Sequence, residues 1–204
     1  MPGPAHRREQ LADALLTITA ARGLDQVSVR EVAAAAGVSI GTVQHYFKTK
    51  DEMLVFAFRR LVERTVARLK GIDTSGGVRR SLVQILSQLL PLDDTRVVEG
   101  RVYLAFAAQA AVSPTLATIQ KKTLNDIHTH LSEVLSRARD TGDAIPGLCP
   151  ALDARLLLAL ADGLTLDALS APGHLTDDQM MALLERHLER LLPDPDSVAL
   201  SNNK

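Results

Sequence analysis

The polar side chains with the clearest chemistry lie in one segment, SVREVAAAAGVSIGTVQHYFKTK, from Ser28 to Lys50. Gln44 can pair bidentately with adenine, and Thr42 offers a hydroxyl and a methyl group to a base edge. Gly41 permits close approach of the backbone to DNA. The residues that follow supply hydrogen-bond donors and positive charge for phosphate groups, namely His45, Tyr46, Lys48 and Lys50. The set predicts contact with double-stranded DNA rather than catalysis.

Catalytic and metal chemistry have no comparable motif in the chain. The sequence contains no Gly-rich phosphate loop, nucleophile elbow or HExxH motif. His128 and His130 are two residues apart, which on a helix directs them to different faces and makes joint metal ligation poor. The single cysteine, Cys149, excludes an internal disulfide and a cysteine metal cage. We therefore predict no enzyme, no cofactor and no metal site.

Local signals around the polar segment predict two short helices joined by a tight turn. Ser28 and Glu31 have the spacing of a capping box, so a helix should begin at about Val29. Gly37 can take the left-handed conformation that ends a helix, and Ser39 can cap the next one. Two helices that cross through a short turn containing glycine form the helix-turn-helix of DNA-binding proteins.

The second helix of this pair, at about Ile40 to Phe47, should carry the base contacts. In a helix-turn-helix this helix enters the major groove with its N-terminal residues on base edges. Val43 and Phe47 are four residues apart and should face inward. The residues alone leave a second interpretation open, in which the pair is an amphipathic hairpin with a solvated polar face.

Three features of the first third of the chain resemble the tetracycline-repressor (TetR) family of bacterial transcription regulators. They are the helical pattern from Leu11 to Gly23, the run VREVAAAAGVSIGTVQHYF and its continuation KTKDEML. The resemblance implies operator contacts at Ser28, Arg30, Ser39, Ile40, Gly41, Thr42, Gln44, His45, Tyr46 and Lys50. The chain departs from the family at Gln44, where an aromatic residue is common, and at Tyr46, where a histidine is common. Base preferences therefore do not carry over.

The resemblance also implies how such a protein works. The run ADGLTLDAL is similar to the dimer-forming helix of the TetR subgroup that includes choline-responsive repressors. This implies a homodimeric repressor on a palindromic operator, released by a small-molecule effector of unknown identity. An activator role stays open, because the residues do not fix the operator's position relative to a promoter. The alternative from another class is a helical small-molecule-binding or scaffold protein without operator binding.

The composition predicts an all-α protein. Aromatic residues are only 3% of the 204, with no Trp, so the core must consist mostly of Leu, Ala and Val, which favours helices over sheets. No apolar run approaches the roughly 18 to 20 residues of a membrane span, and the polar start MPGPAHRREQ lacks the apolar middle of a signal peptide. We therefore predict a cytoplasmic protein without a membrane partner.

Charge is divided unevenly along the chain. The formal net charge is −1, which is unexpected for a DNA-binding protein. Residues 1–70 contain 11 Lys and Arg against 7 Asp and Glu, whereas residues 71–204 contain 12 against 17. Since local charge governs counterion release on DNA, the basic N-terminal part is the part expected to bind it. Arg7 and Arg8 could reach phosphates or form a solvated basic tail.

Glycine and proline divide the chain into helices and domains. The segment GIDTSGG at residues 71–77 is small, polar and flexible and predicts a domain boundary. Besides the hairpin, helices are expected at about 6–22, 50–70, 78–90, 95–112, 114–140, 153–171 and 176–192. The predicted domains are a three-helix DNA-binding domain at 1–50, a connecting helix at 51–70, a helical ligand-binding and dimerisation bundle at 71–193 and a disordered tail at 194–204.

Two apolar stripes near the C-terminus predict a partner surface. The stripes have helical spacing and consist of Leu156, Leu157, Leu160 and Leu164 on one helix and Met180, Leu184, His187, Leu188 and Leu191 on the next. Each helix pair could bury against the same pair of a second copy, giving a four-helix interface. The alternative, which stays open, is that both stripes face the chain's own core.

The middle helices contain the candidates for a small-molecule site. Tyr103, Phe106 and Gln109 fall on adjacent turns, and Asn125 and His128 could face them from the next helix. Ligand pockets are mostly apolar with a few polar groups. Cores rich in Leu and Ala use the same residue types for packing, so that alternative also stays open.

Overall fold

The computed structural model describes residues 4–23 and 26–193, and the predicted tail at 194–204 lies outside the described residues. Within this part of the chain there are nine α-helices and no strand. Their bounds are α1 (Pro4–Arg22), α2 (Val29–Ala35), α3 (Ile40–Tyr46), α4 (Lys50–Leu69), α5 (Val78–Ser87), α6 (Asp94–Ala110), α7 (Pro114–Thr141), α8 (Pro150–Ser170) and α9 (Asp177–Leu191). The all-α prediction is confirmed, and none of the described helices is long and apolar enough to cross a membrane.

Side-chain caps fix the starts of several helices. A side chain just before the helix accepts a hydrogen bond from the backbone N–H three residues later at Ser28 (α2), Ser39 (α3), Asp93 (α6) and Thr176 (α9). At α9, Gln179 returns a second bond to the backbone of Thr176 and completes a capping box. These caps are local in sequence, which is why the predicted starts of these helices are accurate to about one residue.

The start of α8 differs from its prediction. The helix begins at Pro150 rather than Asp153. Proline is well tolerated at the first helical position, because an N–H there would have no intrahelical acceptor and the ring already fixes φ near the helical value. The Asp153 carboxylate accepts a hydrogen bond from the Cys149 N–H at 2.8 Å, which closes the first turn.

The end of α5 also differs from its prediction. The helix stops at Ser87 rather than Leu90. The chain then continues in tighter turns, with the Leu90 N–H bonded to the Ser87 carbonyl at 3.2 Å. Pro91 follows directly, and the residue before a proline is disfavoured in the helical conformation.

The chain forms two compact units, of which the first contains residues 1–67 and 93–121. Its core is built from α1 to α4 together with α6 and the start of α7, and includes Leu11, Leu15, Val32, Val43, Met53, Phe58, Phe106 and Leu116. The predicted functional division at 1–50, 51–70 and 71–193 is a different partition, and it stays a prediction. The helix that follows the hairpin, α4, contributes its buried face to the same core as the hairpin itself.

The second unit contains residues 68–92 and 122–204. Its core is aliphatic and is built from α5, the second part of α7, α8 and α9. Its buried residues include Leu82, Leu86, Leu135, Leu157, Leu164, Met180, Leu184 and Leu188. The Thr165 hydroxyl, buried on α8, donates to the Leu89 carbonyl at 3.3 Å and so satisfies a polar group inside this core.

Candidate DNA-binding site

The first helix of the hairpin, α2, starts at the predicted residue. Ser28 is extended, with φ −137° and ψ 159°, and its hydroxyl accepts the Glu31 N–H at 3.1 Å. The Glu31 carboxylate pairs with Arg22 at 2.8 Å, so the predicted capping box forms only through the Ser28 hydroxyl. Arg22 is the last residue of α1, and the ion pair therefore joins the end of α1 to the start of α2.

Backbone hydrogen bonds close the turn between α2 and α3. Gly37 has φ +65°, a conformation that side-chain-bearing residues rarely adopt. The Val38 N–H bonds to the Ala33 carbonyl at 2.9 Å and the Gly37 N–H to the Ala34 carbonyl at 3.2 Å. This pair of bonds is a Schellman motif, which satisfies carbonyls at the end of α2 and redirects the chain into α3.

Two buried side chains and a cap hold α3 in place. Val43 is 0% and Phe47 is 2% exposed, so the predicted inward pair is confirmed. The Ser39 hydroxyl accepts the Thr42 N–H at 3.1 Å and lies 2.9 Å from the Thr42 hydroxyl oxygen. Because the Thr42 hydroxyl is engaged with Ser39, its methyl group is the part best placed to contact a base.

The outer face of α3 carries side chains suited to base edges. Ile40 is 46% exposed although it is apolar, and the polar Gln44 and His45 are also exposed. A Cβ added at Gly41 would meet only the Ser39 hydroxyl, at 3.8 Å, so this part of the face is flat and open. An apolar side chain can contact a thymine methyl group, and a glutamine can pair with adenine.

Cationic and hydroxyl groups surround this face. Ser28 and Arg30 are exposed at the start of α2, and Lys48 and Lys50 are exposed after α3. Such groups bind phosphates and fix the register of a protein on DNA. The ring of Tyr46 is half-buried and meets the His45 ring edge to face, with centroids 5.2 Å apart. The predicted contact residues thus lie at the start of α2, at the start of and along α3, on the link that follows it and at the first residue of α4, Lys50.

Sequence reasoning missed a groove beside the end of α3. The groove has a volume of about 760 Å³, and its lining includes Arg8 of α1, Tyr46 of α3, and Phe56 and Arg59 of α4. Its residues come from three helices that are distant in sequence, so no periodic pattern marks it. The groove lies next to the helix that should contact DNA.

Three of the predicted ligand-binding residues lie in the first unit. Phe106 is 3% exposed and stacks on Phe58, so it is a core residue. Tyr103 and Gln109 are half-buried on the same helix. The Tyr103 hydroxyl lies 3.4 Å from the amide nitrogen of Gln120, a residue that sequence reasoning did not select. Within the described residues, the buried amide oxygen of Gln120 has no hydrogen-bond partner.

The other two, Asn125 and His128, lie on the part of α7 that belongs to the second unit. Asn125 is exposed. His128 lines a shallow groove of about 480 Å³ together with Ser132 and Arg155. Burial, aided by the positive charge of Arg155, lowers the pKa of His128 below its ordinary value. The structure therefore assigns the five predicted residues to separate compact units, and their ligand role stays a prediction.

The predicted dimer stripes mostly face the core of the second unit, which corrects six of their residues. The six, all at most 7% exposed in the single chain, are Leu157, Leu164, Met180, Leu184, Leu188 and Leu191. Leu160 and His187 are half-buried. Only Leu156 of that set is well exposed, at 56%. Helical spacing identifies an apolar face but not what covers it, and α8 is leucine-rich on two faces.

The outer face of α8 carries a second apolar stripe. It consists of Leu152, Leu156, Ala159, Gly163 and Leu166, all of them exposed and spaced three or four residues apart. Leu183 of α9 is also exposed, at 44%. The homodimer stays a prediction. This exposed row is named the α8 stripe, and it replaces the buried stripes as the surface predicted to contact a second copy.

The capped hairpin, its glycine turn and its exposed second helix define a helix-turn-helix DNA-binding protein. Residues 11–55 match the family described as bacterial regulatory proteins, tetR family, and residues 78–193 match the BetI-type transcriptional repressor, C-terminal. The chain belongs to the TetR family of transcription regulators, with a C-terminal part of the BetI type. Membership confirms the resemblance seen in the first third of the chain, and it confirms a regulator rather than an enzyme.

Relatives and solved structures of the same kind cover most of the chain. The HTH-type transcriptional regulator PksA of Bacillus subtilis is 28% identical over 91% of this chain and 89% of its own length. The regulator BetI of Burkholderia mallei is 30% identical over 86% of this chain and 94% of its own. A transcriptional regulator from Rhodococcus sp. Rha1 has TM-score 0.81 and 46% identity, covering 89% of this chain and 93% of that one. A regulator from Saccharomonospora viridis in complex with choline has TM-score 0.82 and 22% identity, covering 92% and 98%.

Proposed function

We propose that the chain is a homodimeric cytoplasmic repressor that binds a palindromic operator and leaves it when a small-molecule effector binds. The observation that carries the DNA part is the two-sided character of α3. Val43 and the C-terminal cap residue Phe47 face inward and are buried, while the outer residues of the helix, including Gln44 and His45, make the exposed face. A short helix held in this way can enter a major groove without unfolding the domain beneath it.

The proposed contacts divide into base-reading and phosphate-binding groups. Ile40, Gly41, Thr42 and Gln44 form the base-reading group on the N-terminal part of α3. The phosphate group consists of Ser28, Arg30, Ser39, His45, Tyr46, Lys48 and Lys50. The first group sets sequence preference, and the second sets affinity and its dependence on salt.

The α8 stripe supports the homodimer. Three of its residues, Leu152, Leu156 and Leu166, are at least 50% exposed leucines on one helix face. Exposed apolar residues in a contiguous row mark an interaction surface. The small residues Ala159 and Gly163 lie between them, which lets a second copy of α8 approach closely. A two-fold dimer presents two copies of α3, and this is why a palindromic operator is proposed.

The effector site is proposed on α6 and the start of α7. Gln120 has a buried amide oxygen without a partner among the described residues, and its amide nitrogen lies 3.4 Å from the Tyr103 hydroxyl. A ligand with a hydrogen-bond donor would satisfy that oxygen. An effector that weakens operator binding about 100-fold needs a coupling of only about 2.7 kcal/mol.

Choline deserves an early test because the Saccharomonospora viridis regulator was solved with it. Aromatic side chains are the usual partners of quaternary ammonium ions, and this chain has only two Tyr, four Phe and no Trp. Phe58 and Phe106 are stacked on each other in the core. Tyr46, Phe47 and Phe56 lie in or beside the hairpin, which leaves Tyr103 for a cage. We therefore expect millimolar choline to leave operator binding unchanged.

The decisive experiment is DNA binding by fluorescence anisotropy. The purified protein is titrated into DNA from upstream of its own coding region and into unrelated DNA, each at two salt concentrations. Tight binding that exceeds the control and weakens with salt supports the proposal. The same assay then screens candidate effectors, and Gln120→Leu should lose the response to one that releases the wild type. A DNA fragment library that yields no preferred sequence would contradict operator binding and favour a ligand-binding or scaffold role.

A further inference from the structure

The start of α1 contacts the ends of both hairpin helices. The guanidinium carbon of Arg8 lies 5.5 Å from the ring centroid of Phe47, which is the residue that caps the C-terminus of α3. The amide nitrogen of Gln10 donates to the carbonyl of Ala36 at 3.0 Å, and Ala36 caps the C-terminus of α2. Two residues near the start of α1 therefore contact the C-terminal ends of α2 and α3.

The contact of Arg8 extends to a second ring. Its guanidinium carbon lies 5.3 Å from the centroid of Phe56 on α4, and the Phe47 and Phe56 rings are 5.5 Å apart, tilted by 53°. The distances from the Arg8 guanidinium carbon to the two ring centroids both fall within the roughly 6 Å range of a cation–π interaction. Phe47 is 2% exposed, and its N–H bonds to the Val43 carbonyl at 2.9 Å. Arg8 thus covers the aromatic pair that joins the end of α3 to α4.

A hydrogen-bond chain orients the Gln10 contact. An Arg7 guanidinium nitrogen donates to the Gln10 amide oxygen at 2.7 Å. This directs the Gln10 amide nitrogen toward the Ala36 carbonyl. Carbonyls at the end of a helix have no intrahelical donor, so a side-chain donor there stabilises the helix end. Arg7 and Arg8 therefore lie on α1 with defined contacts and do not form a solvated basic tail.

We propose that Arg8 and Gln10 are positioning residues for operator recognition. Acting through Phe47 and Ala36, they hold the ends of the hairpin so that α3 keeps its angle to the rest of the domain. Their contacts within the chain are with two aromatic rings and one carbonyl. The inference rests on the proposed DNA-binding function, but the position of α3 is a property of the free protein and can be tested without DNA.

The test compares Arg8→Ala, Arg8→Lys and Arg59→Ala. Arg59 lines the same groove as Arg8. Its replacement therefore removes one positive charge from this groove but keeps the contacts of Arg8 with the two rings. Operator and unrelated DNA are titrated over a range of salt, and amide hydrogen exchange of residues 40–47 is followed without DNA. Arg8→Ala should lose about five- to thirty-fold in operator affinity, the span expected for two modest contacts. Binding to unrelated DNA and the salt slope should stay unchanged, exchange in 40–47 should rise, and Arg8→Lys should recover part of each effect.

Two outcomes overturn the inference. If Arg8→Ala weakens both DNAs equally and lowers the salt slope by about 0.9, Arg8 is a phosphate contact. If exchange in residues 40–47 is the same in wild type and Arg8→Ala, the residue does not position α3. Should wild type lack any operator preference, the proposed function fails, while the exchange experiment still decides the positioning role. Gln10→Leu gives a second exchange measurement if thermal melting shows Arg8→Ala to be unfolded.

Discussion

The rings of Phe58 on α4 and Phe106 on α6 stack face to face, with centroids 3.8 Å apart and planes within 7° of parallel. Both side chains are at most 3% exposed. Since α4 directly follows the recognition hairpin, this contact places α6 in the core that also holds the hairpin. A helix that the sequence assigns to the ligand-binding part therefore shares its packing with the DNA-binding helices.

Phe106→Ala should destabilise this shared core by about 3–5 kcal/mol, the usual cost of truncating a buried phenylalanine. The loss comes from the removed ring contacts and from the cavity left against Phe58. Urea denaturation followed by circular dichroism measures it. Val112→Ala is the control, because Val112 is 76% exposed and its truncation should be nearly neutral. A cost near zero for Phe106→Ala would show that the stacked pair does not stabilise the core.

Replacing Gln44 and His45 together by alanine should lower operator affinity by about tenfold or more. A good bidentate contact to a base contributes about 1–3 kcal/mol of discrimination, and a phosphate contact adds to it. Both side chains are exposed, so helicity and melting temperature should not change. Anisotropy titration with operator and unrelated DNA measures the effect. Unaltered operator affinity would mean that this face of α3 is not the reading face.

Leu156→Glu should convert the proposed dimer into a monomer. Leu156 belongs to the α8 stripe and is 56% exposed, so in the single chain a carboxylate there stays in water. In a dimer the same carboxylate is buried without a partner and costs several kcal/mol. Light scattering after size-exclusion chromatography reports the mass. Leu157 is 0% exposed, so Leu157→Glu should instead unfold the second unit, which separates interface from core.

Gly163→Ala should have opposite effects on the chain and on the dimer. A Cβ added at Gly163 meets no atom within 4 Å in the single chain, and alanine favours a helix over glycine by about 1 kcal/mol. The isolated chain should therefore melt at a higher temperature. If two copies of α8 cross closely at this glycine, the methyl group should raise the dimer dissociation constant in sedimentation equilibrium. Tighter dimers would place the helix crossing elsewhere.

His128 should make the folded protein lose stability as the pH falls below about 6.5, the ordinary pKa of histidine. Its folded pKa is lowered by burial and by Arg155, so the unfolded chain takes up a proton that the folded chain does not. The loss continues down to the folded pKa. Besides Arg155, the charged groups that line the same groove are Glu133 and Arg137.

Urea midpoints at about pH 7.5 and about pH 5.5 measure this loss, with His128→Gln expected to show less of it. His130→Gln is the matched control, because His130 is exposed two residues further along the same helix. Arg155→Ala should also reduce the loss, since it removes one cause of the lowered pKa. Equal pH dependence in wild type and His128→Gln would contradict the lowered pKa.

Local signals predicted the hairpin and most helix bounds, because they depend on nearby residues. Ser39 needs only the N–H of Thr42, and Gly37 needs only its own freedom at φ +65°. The sequence did not show whether an apolar helix face packs against the chain's own core or is exposed. Leu156 and Leu157 are adjacent leucines with exposures of 56% and 0%, and no sequence period distinguishes them.

Contacts between helices distant in sequence were also beyond the reach of periodicity. Arg8 meets Phe47 and Phe56, which are 39 and 48 residues further along the chain, and no spacing rule links them. Phe58, another residue of α4, lies in the core. Its position depends on the stacking partner that α6 supplies, Phe106.

In α3 the residues that fold the hairpin differ from the residues proposed to contact bases, and this affects how the operator preference of such a regulator can change. Folding of the hairpin depends on Ser39, Gly37, Val43 and Phe47, none of which is needed to choose between bases. The outward residues, such as Gln44, contribute little to the core. After gene duplication, a copy can therefore acquire a new operator through single substitutions at these outward positions while remaining folded. The reading face is the part of the domain that is free to evolve.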